Sequence, residues 1–174
     1  DGRIWYATFN GQNWSQDRAL AGGTYYGIQD SPAVTVFNNR LCLAYHDADG
    51  HLRMGGLDGA GNWFNDASLP AYGISYSPSI AVYNHRLYLA YQGSGANAGK
   101  LMFTSTDGAS WTPEQCVLDI SMLGAPALVV YQNELHCFHK GTNETIDPSK
   151  ILLLDSYLEL LPIDDPWVTL PLEL

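Results

Sequence analysis

An internal repeat constrains this chain more than any other feature: three blocks superimpose along residues 1–141. They open with Asp1-Gly2-Arg3-Ile4, Asp49-Gly50-His51-Leu52 and Ala98-Gly99-Lys100-Leu101. Each then reaches a turn closed by tryptophan: Asn10-Gly11-Gln12-Asn13-Trp14, Asp58-Gly59-Ala60-Gly61-Asn62-Trp63 and Asp107-Gly108-Ala109-Ser110-Trp111. The tryptophans lie 49 and then 48 residues apart. A unit repeated at such a period is one supersecondary element that buries its apolar faces by stacking on its neighbours. The repeats divide at 1–48, 49–97 and 98–141.

Within each block a proline (Pro32, Pro78, Pro126) opens an apolar run, a two-residue polar turn follows, and a second apolar run returns. The turns are Asn38-Asn39, Asn84-His85 and Gln132-Asn133, and the pattern reads as a β-hairpin. Proline is tolerated at the start of a strand, where its missing N–H breaks no ladder bond. A strand before each tryptophan (4–9, 52–57, 101–105) and a short one after it complete four strands per repeat. Leu41-Cys42-Leu43-Ala44-Tyr45 and Leu87-Tyr88-Leu89-Ala90-Tyr91 are apolar on both parities, so both faces of the sheet must be covered. The composition agrees: 17 Gly, 9 Pro and 12% aromatics with only 15% charged residues favour an all-β, turn-rich domain over a helical bundle. The expected fold is a β-propeller of four-stranded blades, about three per chain, with the three-lobed β-trefoil as the alternative.

Ser31-Pro32-Ala33-Val34 through Arg40-Leu41, followed later by Ser105-Thr106-Asp107-Gly108-Ala109-Ser110-Trp111, resembles the bacterial propeller repeats related to sialidase-type and lectin-type β-propellers. The second motif is similar to an Asp-box one residue short, and repeats one and two match it only at Asp or Asn, Gly and Trp. The resemblance covers residues 1–141. It implies a structural role for Trp14, Trp63 and Trp111, with the acidic residue bonding turn amides and the ring packing between strands.

Eight Lys and Arg against 18 Asp and Glu leave a net charge of −10, so no positive field exists to displace counterions from nucleic acid. Residues 142–174 carry seven of the acids and one base, Lys150; this acidic Leu- and Pro-rich segment leaves the repeat and reads as a closing segment or a partner-binding peptide. No apolar run is long enough for a membrane span, and the Asp1-Gly2 start reads as that of a processed chain. Cys42, Cys116 and Cys137 fit neither a disulfide framework nor a metal pattern and read as small buried hydrophobes. Asp47-Ala48-Asp49-Gly50-His51 lacks the further ligands of a calcium loop and reads as a polar turn. No metal or cofactor is expected.

Motifs for nucleophilic, zinc-dependent or dinucleotide chemistry are missing from the sequence. Sialidase-type catalysis would need an arginine cluster with an activated tyrosine and its glutamate; Arg40 and Arg86 are instead repeat-equivalent turn residues. In a propeller the loops joining strands two and three, and those joining successive blades, emerge on one face. That loop face collects Tyr26, His46, Asp47, Asp49, Tyr72, Tyr76, Gln92, Asn97, His139 and Lys140, with Tyr25, Gln29, Asp30, His51, Ser75 and Lys100 nearby. Rings beside planar polar groups suit sugars, whose C–H faces stack while their hydroxyls bond. His139 is placed as the strand-end equivalent of His46 and Gln92.

The expectation is therefore a non-catalytic, lectin-like recognition module with repeated shallow sites, secreted or displayed on a cell surface, whose partners are glycans or a glycosylated protein surface. The alternative is a protein-interaction propeller, as part of a toxin or larger secreted enzyme; a glycosidase comes third. Because the repeats begin at the third strand of a blade and end at the second, two chains are expected to complete a six-bladed ring as a homodimer; the rival explanation is that the chain is a piece of a longer propeller.

Overall fold

The computed structural model describes residues 1–20 and 25–142; the acidic segment from 143 onward lies outside them. The described chain is all-β, with twelve strands: β1 (Trp5–Tyr6), β2 (Arg18–Ala19), β3 (Ala33–Phe37), β4 (Arg40–His46), β5 (Leu52–Leu57), β6 (Trp63–Asn65), β7 (Ser79–Tyr83), β8 (Arg86–Gln92), β9 (Lys100–Thr106), β10 (Gln115–Ser121), β11 (Ala127–Tyr131) and β12 (Glu134–Phe138). Two complete antiparallel sheets, β3-β4-β5-β6 and β7-β8-β9-β10, stand between two-stranded sheets β1-β2 and β11-β12. Successive strands stay side by side in one sheet, and the sheets stack in chain order. This is the propeller arrangement rather than the trefoil.

The first strand of each hairpin follows its proline directly, and each turn has both central residues at positive φ: Asn38 48° and Asn39 59°, Asn84 45° and His85 60°, Gln132 49° and Asn133 62°. Two consecutive left-handed residues make the turn whose twist matches that of the flanking strands. Asparagine tolerates this conformation better than most residues, which accounts for its recurrence there.

The double parity of the hairpin strands is explained by stacking. Leu87, Leu89 and Tyr91 of β8 pack with Cys42, Ala44, Leu52 and Met54 of the preceding blade. Tyr88 and Ala90, on the opposite face of β8, pack with Leu101, Val117 and Leu135 toward the following sheet. A third cluster joins Ile4 and Leu20 of the first sheet to Leu43 and Tyr45 of the next. Full burial of a leucine side chain stabilises by roughly 1.5–3 kcal/mol, so these interfaces hold the stack together. The pairing of β4 with β5 needs close approach: a Cβ on Gly56 would collide with the Leu41 carbonyl oxygen.

The tryptophan turns are built alike. Asn10 Oδ1 accepts the N–H groups of Gln12 and Asn13, Asp58 Oδ1 those of Ala60 and Asn62, and Asp107 Oδ1 those of Ala109 and Ser110. The Trp111 Nε1–H donates to Asp66 of the preceding blade at 3.0 Å, and Trp63 packs at a tilt against Tyr26 with centroids 5.0 Å apart. Trp14 contacts its own neighbour Phe9 and stays exposed.

Candidate functional site

Three equivalent junctions form the loop face. At each, the loop entering a blade donates an N–H to a carbonyl at, or just beyond, the end of that blade's second strand: Gln29 to His46 (3.0 Å), Ser75 to Gln92 (3.1 Å) and Leu123 to Lys140 (2.8 Å). The same loops reach back to the preceding sheet, with Ile28 donating to Gly2, Ile74 to Gly50 and Met122 to Gly99. These bonds fix the equivalence of the strand ends as His46, Gln92 and Lys140. The expectation that His139 occupies this place is corrected: counted from Pro126, His139 stands level with Tyr45 and Tyr91, one residue inside. Its Nδ1 is buried without a hydrogen-bond partner.

At the first junction Asp47 is buried and committed to the turn. Its carboxylate accepts the N–H groups of Asp49 and His51 and the Arg53 Nε–H. Burial disfavours the ionised form, but the Arg53 guanidinium and the two backbone donors outweigh it and hold the carboxyl below the ordinary aspartate range. Arg53 was not singled out from sequence, because its partner lies six residues back across a hairpin. Asp49 is exposed, and with Asp47 and His51 it forms the one cluster of potential metal ligands among the described residues. His46 Nδ1 lies 3.0 Å from Asp30 Oδ2, a contact that fixes the orientation of the largely buried imidazole. Tyr26 packs inward, edge-on to Tyr45 at 6.1 Å, while Tyr25 is exposed.

At the second junction Tyr72 stacks on Tyr91 at 6.4 Å; its hydroxyl donates to the Thr112 carbonyl and accepts the Glu114 N–H. Tyr91 donates to Glu114 Oε1 at 2.6 Å, and Asn97 Nδ2 reaches Glu114 Oε2 at 3.4 Å. Burial, reinforced by the Glu114 carboxylate, keeps the Tyr91 phenol protonated far above its ordinary range. Gln92 is buried, its Oε1 accepting the Gly124 N–H at 2.8 Å. Tyr72, Gln92 and Asn97 therefore shape this junction from within, whereas Tyr76 and Lys100 are exposed beside it. Glu114 went unrecognised in the sequence although it sits three residues after Trp111, as Asp66 does after Trp63. Lys140 is exposed at the third junction.

The opposite, turn-side face carries a cleft of about 330 Å³ between the two complete blades. Arg40, Phe64, Asn38, Asn65 and Asp66 line it, with the guanidinium 5.3 Å from the Phe64 ring centre. A cation on an aromatic face next to amides and a carboxylate is a polar, partly desolvated arrangement suited to a polyol.

The chain is similar in structure to the Aleuria aurantia lectin. Against its N224Q mutant in complex with Fucalpha1-6GlcNAc the TM-score is 0.58 at 17% identity, covering 80% of this chain and 46% of that one. Against the same mutant in complex with alpha-methyl-L-fucoside it is again 0.58 at 17%, over 80% and 45%. An alpha-L-arabinofuranosidase from Clostridium thermocellum ATCC 27405 follows at a TM-score of 0.45 and 15% identity, covering 71% and 49%. This chain spans less than half the length of the lectin chains it matches. The likeness establishes the β-propeller fold. No protein-family model matches the sequence, and no curated protein is similar to it.

Proposed function

We propose that this protein is a non-catalytic, carbohydrate-binding propeller whose glycan sites recur at the blade junctions of the loop face. The observation that carries this reading is the first junction, where the inter-blade loop with exposed Tyr25 and Asp30 is bonded to His46, and the next turn, pinned by Asp47, presents exposed Asp49. Tyr76 and Lys100 are the exposed groups offered at the second junction and Lys140, with His139 one residue inside, at the third, while Tyr26, Asp47, Tyr72, Gln92 and Asn97 hold the loops that present them. Support comes also from the fold, shared with a lectin whose structures hold fucosides. Such sites are shallow, so useful affinity comes from engaging several at once. The partner is a glycan or a glycosylated protein surface, the setting is extracellular, and a second copy closes the ring. Among the described residues no helix is long and apolar enough to cross a membrane.

A second reading puts the sugar in the turn-side cleft, favoured by its volume and by Arg40 over Phe64. A glycan array with the wild type, Tyr76→Ala and Arg40→Ala decides between the faces. Binding lost with Tyr76→Ala alone supports the loop face, and binding lost with Arg40→Ala alone supports the cleft. No bound glycan, together with capture of unglycosylated proteins, favours the protein-interaction alternative.

A further inference from the structure

We propose that Asn10 is a self-modification site: the tryptophan turn of the first repeat holds the Asn10 side-chain amide as electrophile beside the Gly11 backbone nitrogen as nucleophile, so that the folded protein deamidates itself there to aspartate and isoaspartate. The inference is independent of what the protein binds.

The repeat singles out the position. The turn opens with aspartate in two repeats, Asp58-Gly59 and Asp107-Gly108, and with asparagine in the first, Asn10-Gly11. No other asparagine in the sequence is followed by glycine. The successor matters because a residue without Cβ leaves its own nitrogen open to close approach. Asn62 and Asn84, by contrast, precede Trp63 and His85.

The turn supplies the rest of the machinery. Asn10 Oδ1 accepts the Gln12 N–H at 3.0 Å and the Asn13 N–H at 2.9 Å. When the Gly11 nitrogen adds to Asn10 Cγ, negative charge develops on that same oxygen, and two fixed donors at this range are what stabilise such an oxyanion. The Gly11 N–H has no hydrogen-bond partner among the described residues, so the nucleophile is not tied up in the backbone bonding of the turn. Gly11 sits at φ 96° with open space on the side a Cβ would take. The matching glycines of the two complete blades, Gly59 and Gly108, are exposed as well, so the tip of this turn meets solvent wherever the repeat builds it.

The reaction needs only water. The Gly11 nitrogen gives up its proton to solvent base and bonds to Asn10 Cγ; the bond from Cγ to the side-chain nitrogen breaks, and that nitrogen leaves as ammonia. Water then opens the cyclic imide. Attack at Cγ restores the main chain with aspartate, and attack at the Asn10 backbone carbonyl leaves isoaspartate, with the main chain routed through the side chain. The aspartate product suits the turn, because the other two repeats already use it and an ionised acceptor strengthens both bonds. The aspartate turns do not share the reactivity. The Asn62 N–H and side-chain amide at Asp58, and the Ala109 and Ser110 N–H groups at Asp107, hold these carboxyls below the ordinary aspartate range. An ionised carboxylate resists nucleophilic attack, so the donors that activate a neutral amide protect an acid.

The test follows the whole chain by mass. Folded protein is held in weakly alkaline buffer beside a sample unfolded in guanidinium chloride, and both are peptide-mapped over time, with isoaspartate labelled by an isoaspartyl methyltransferase. The folded chain should lose the Asn10 amide ahead of every other asparagine and no more slowly than the unfolded chain does. The Asn10→Asp variant should show no gain of mass in the same peptide. An Asn10 that survives in the folded chain, or that is lost more slowly there than in guanidinium, overturns the proposal by showing that the turn shields it. A mass gain that persists in Asn10→Asp overturns it by placing the reaction on another side chain of that peptide.

Discussion

Replacing Asp47 by alanine removes the acceptor that three donors share. The carboxylate is 7% exposed and bonds the Asp49 and His51 N–H groups and the Arg53 guanidinium. Each donor left unsatisfied and buried costs about 1–3 kcal/mol. Here the cost is at the low end per group, because Arg53 is 41% exposed and water can reach it. The sum expected for Asp47→Ala is about 2–3 kcal/mol at pH 7, and about 1 kcal/mol for Asp47→Asn, which keeps one acceptor oxygen. For a domain of this size that is roughly 4–12 °C in Tm, read by circular dichroism. The pH dependence follows from the depressed carboxyl. The folded state favours the ionised form, so this stability is present above the unfolded value near 4 and is lost as pH falls through the lower folded value. The gap between wild type and Asp47→Ala should hold from pH 7 to 5 and narrow as pH falls below the unfolded value near 4. A cost under about 0.5 kcal/mol at pH 7, or a gap that widens as the solution is acidified while both proteins remain folded, would refute the reasoning.

Four other substitutions probe separate links. Gly56→Ala, whose Cβ would collide with the Leu41 carbonyl, should destabilise by about 2–3 kcal/mol in denaturant titration; a neutral result would mean that β4 and β5 can part at no cost. His85→Gly relieves a bulky residue at φ 60° and should raise Tm by an amount corresponding to about 0.5–1 kcal/mol, with lowered Tm the contrary outcome. Tyr91→Phe leaves Glu114 without its 2.6 Å donor and should cost about 1–2 kcal/mol, measured by urea unfolding. Trp111→Phe cuts the bond to Asp66 between blades and should lower Tm more than Trp14→Phe does in a protein held monomeric; equal effects would deny the inter-blade role.

The blades were legible because their signals are local. Proline, the apolar runs and the left-handed turn pair fall within about 15 residues, the tryptophan turn is a short motif of its own, and the repeat states them three times. Apolar residues on both parities of Leu87-Tyr88-Leu89-Ala90-Tyr91 required two covered faces, and the stacked clusters supply them. The site was harder to read because its bonds cross between blades. The Tyr72 hydroxyl finds Thr112 and Glu114 some 40 residues away, which no window of sequence relates. The slip from Lys140 to His139 has a simple cause. In the third repeat the apolar run ends at Phe138, so two polar residues compete for the strand end, and only the Leu123 bond to the Lys140 carbonyl decides between them. Asp47 reads as a turn residue from Asp47-Ala48-Asp49-Gly50-His51, but the return of Arg53 onto it depends on the pairing of β4 with β5.

The most direct test of a glycan-binding propeller is saturation-transfer NMR of the folded protein with a monosaccharide panel that includes methyl α-L-fucoside. The account predicts transfer to one or a few sugars at millimolar concentration, strongest at ring C–H protons that stack on tyrosine, and lost in Tyr25→Ala/Tyr76→Ala. Saturation transfer to none of the sugars, with the protein folded and in its native assembly, would contradict it.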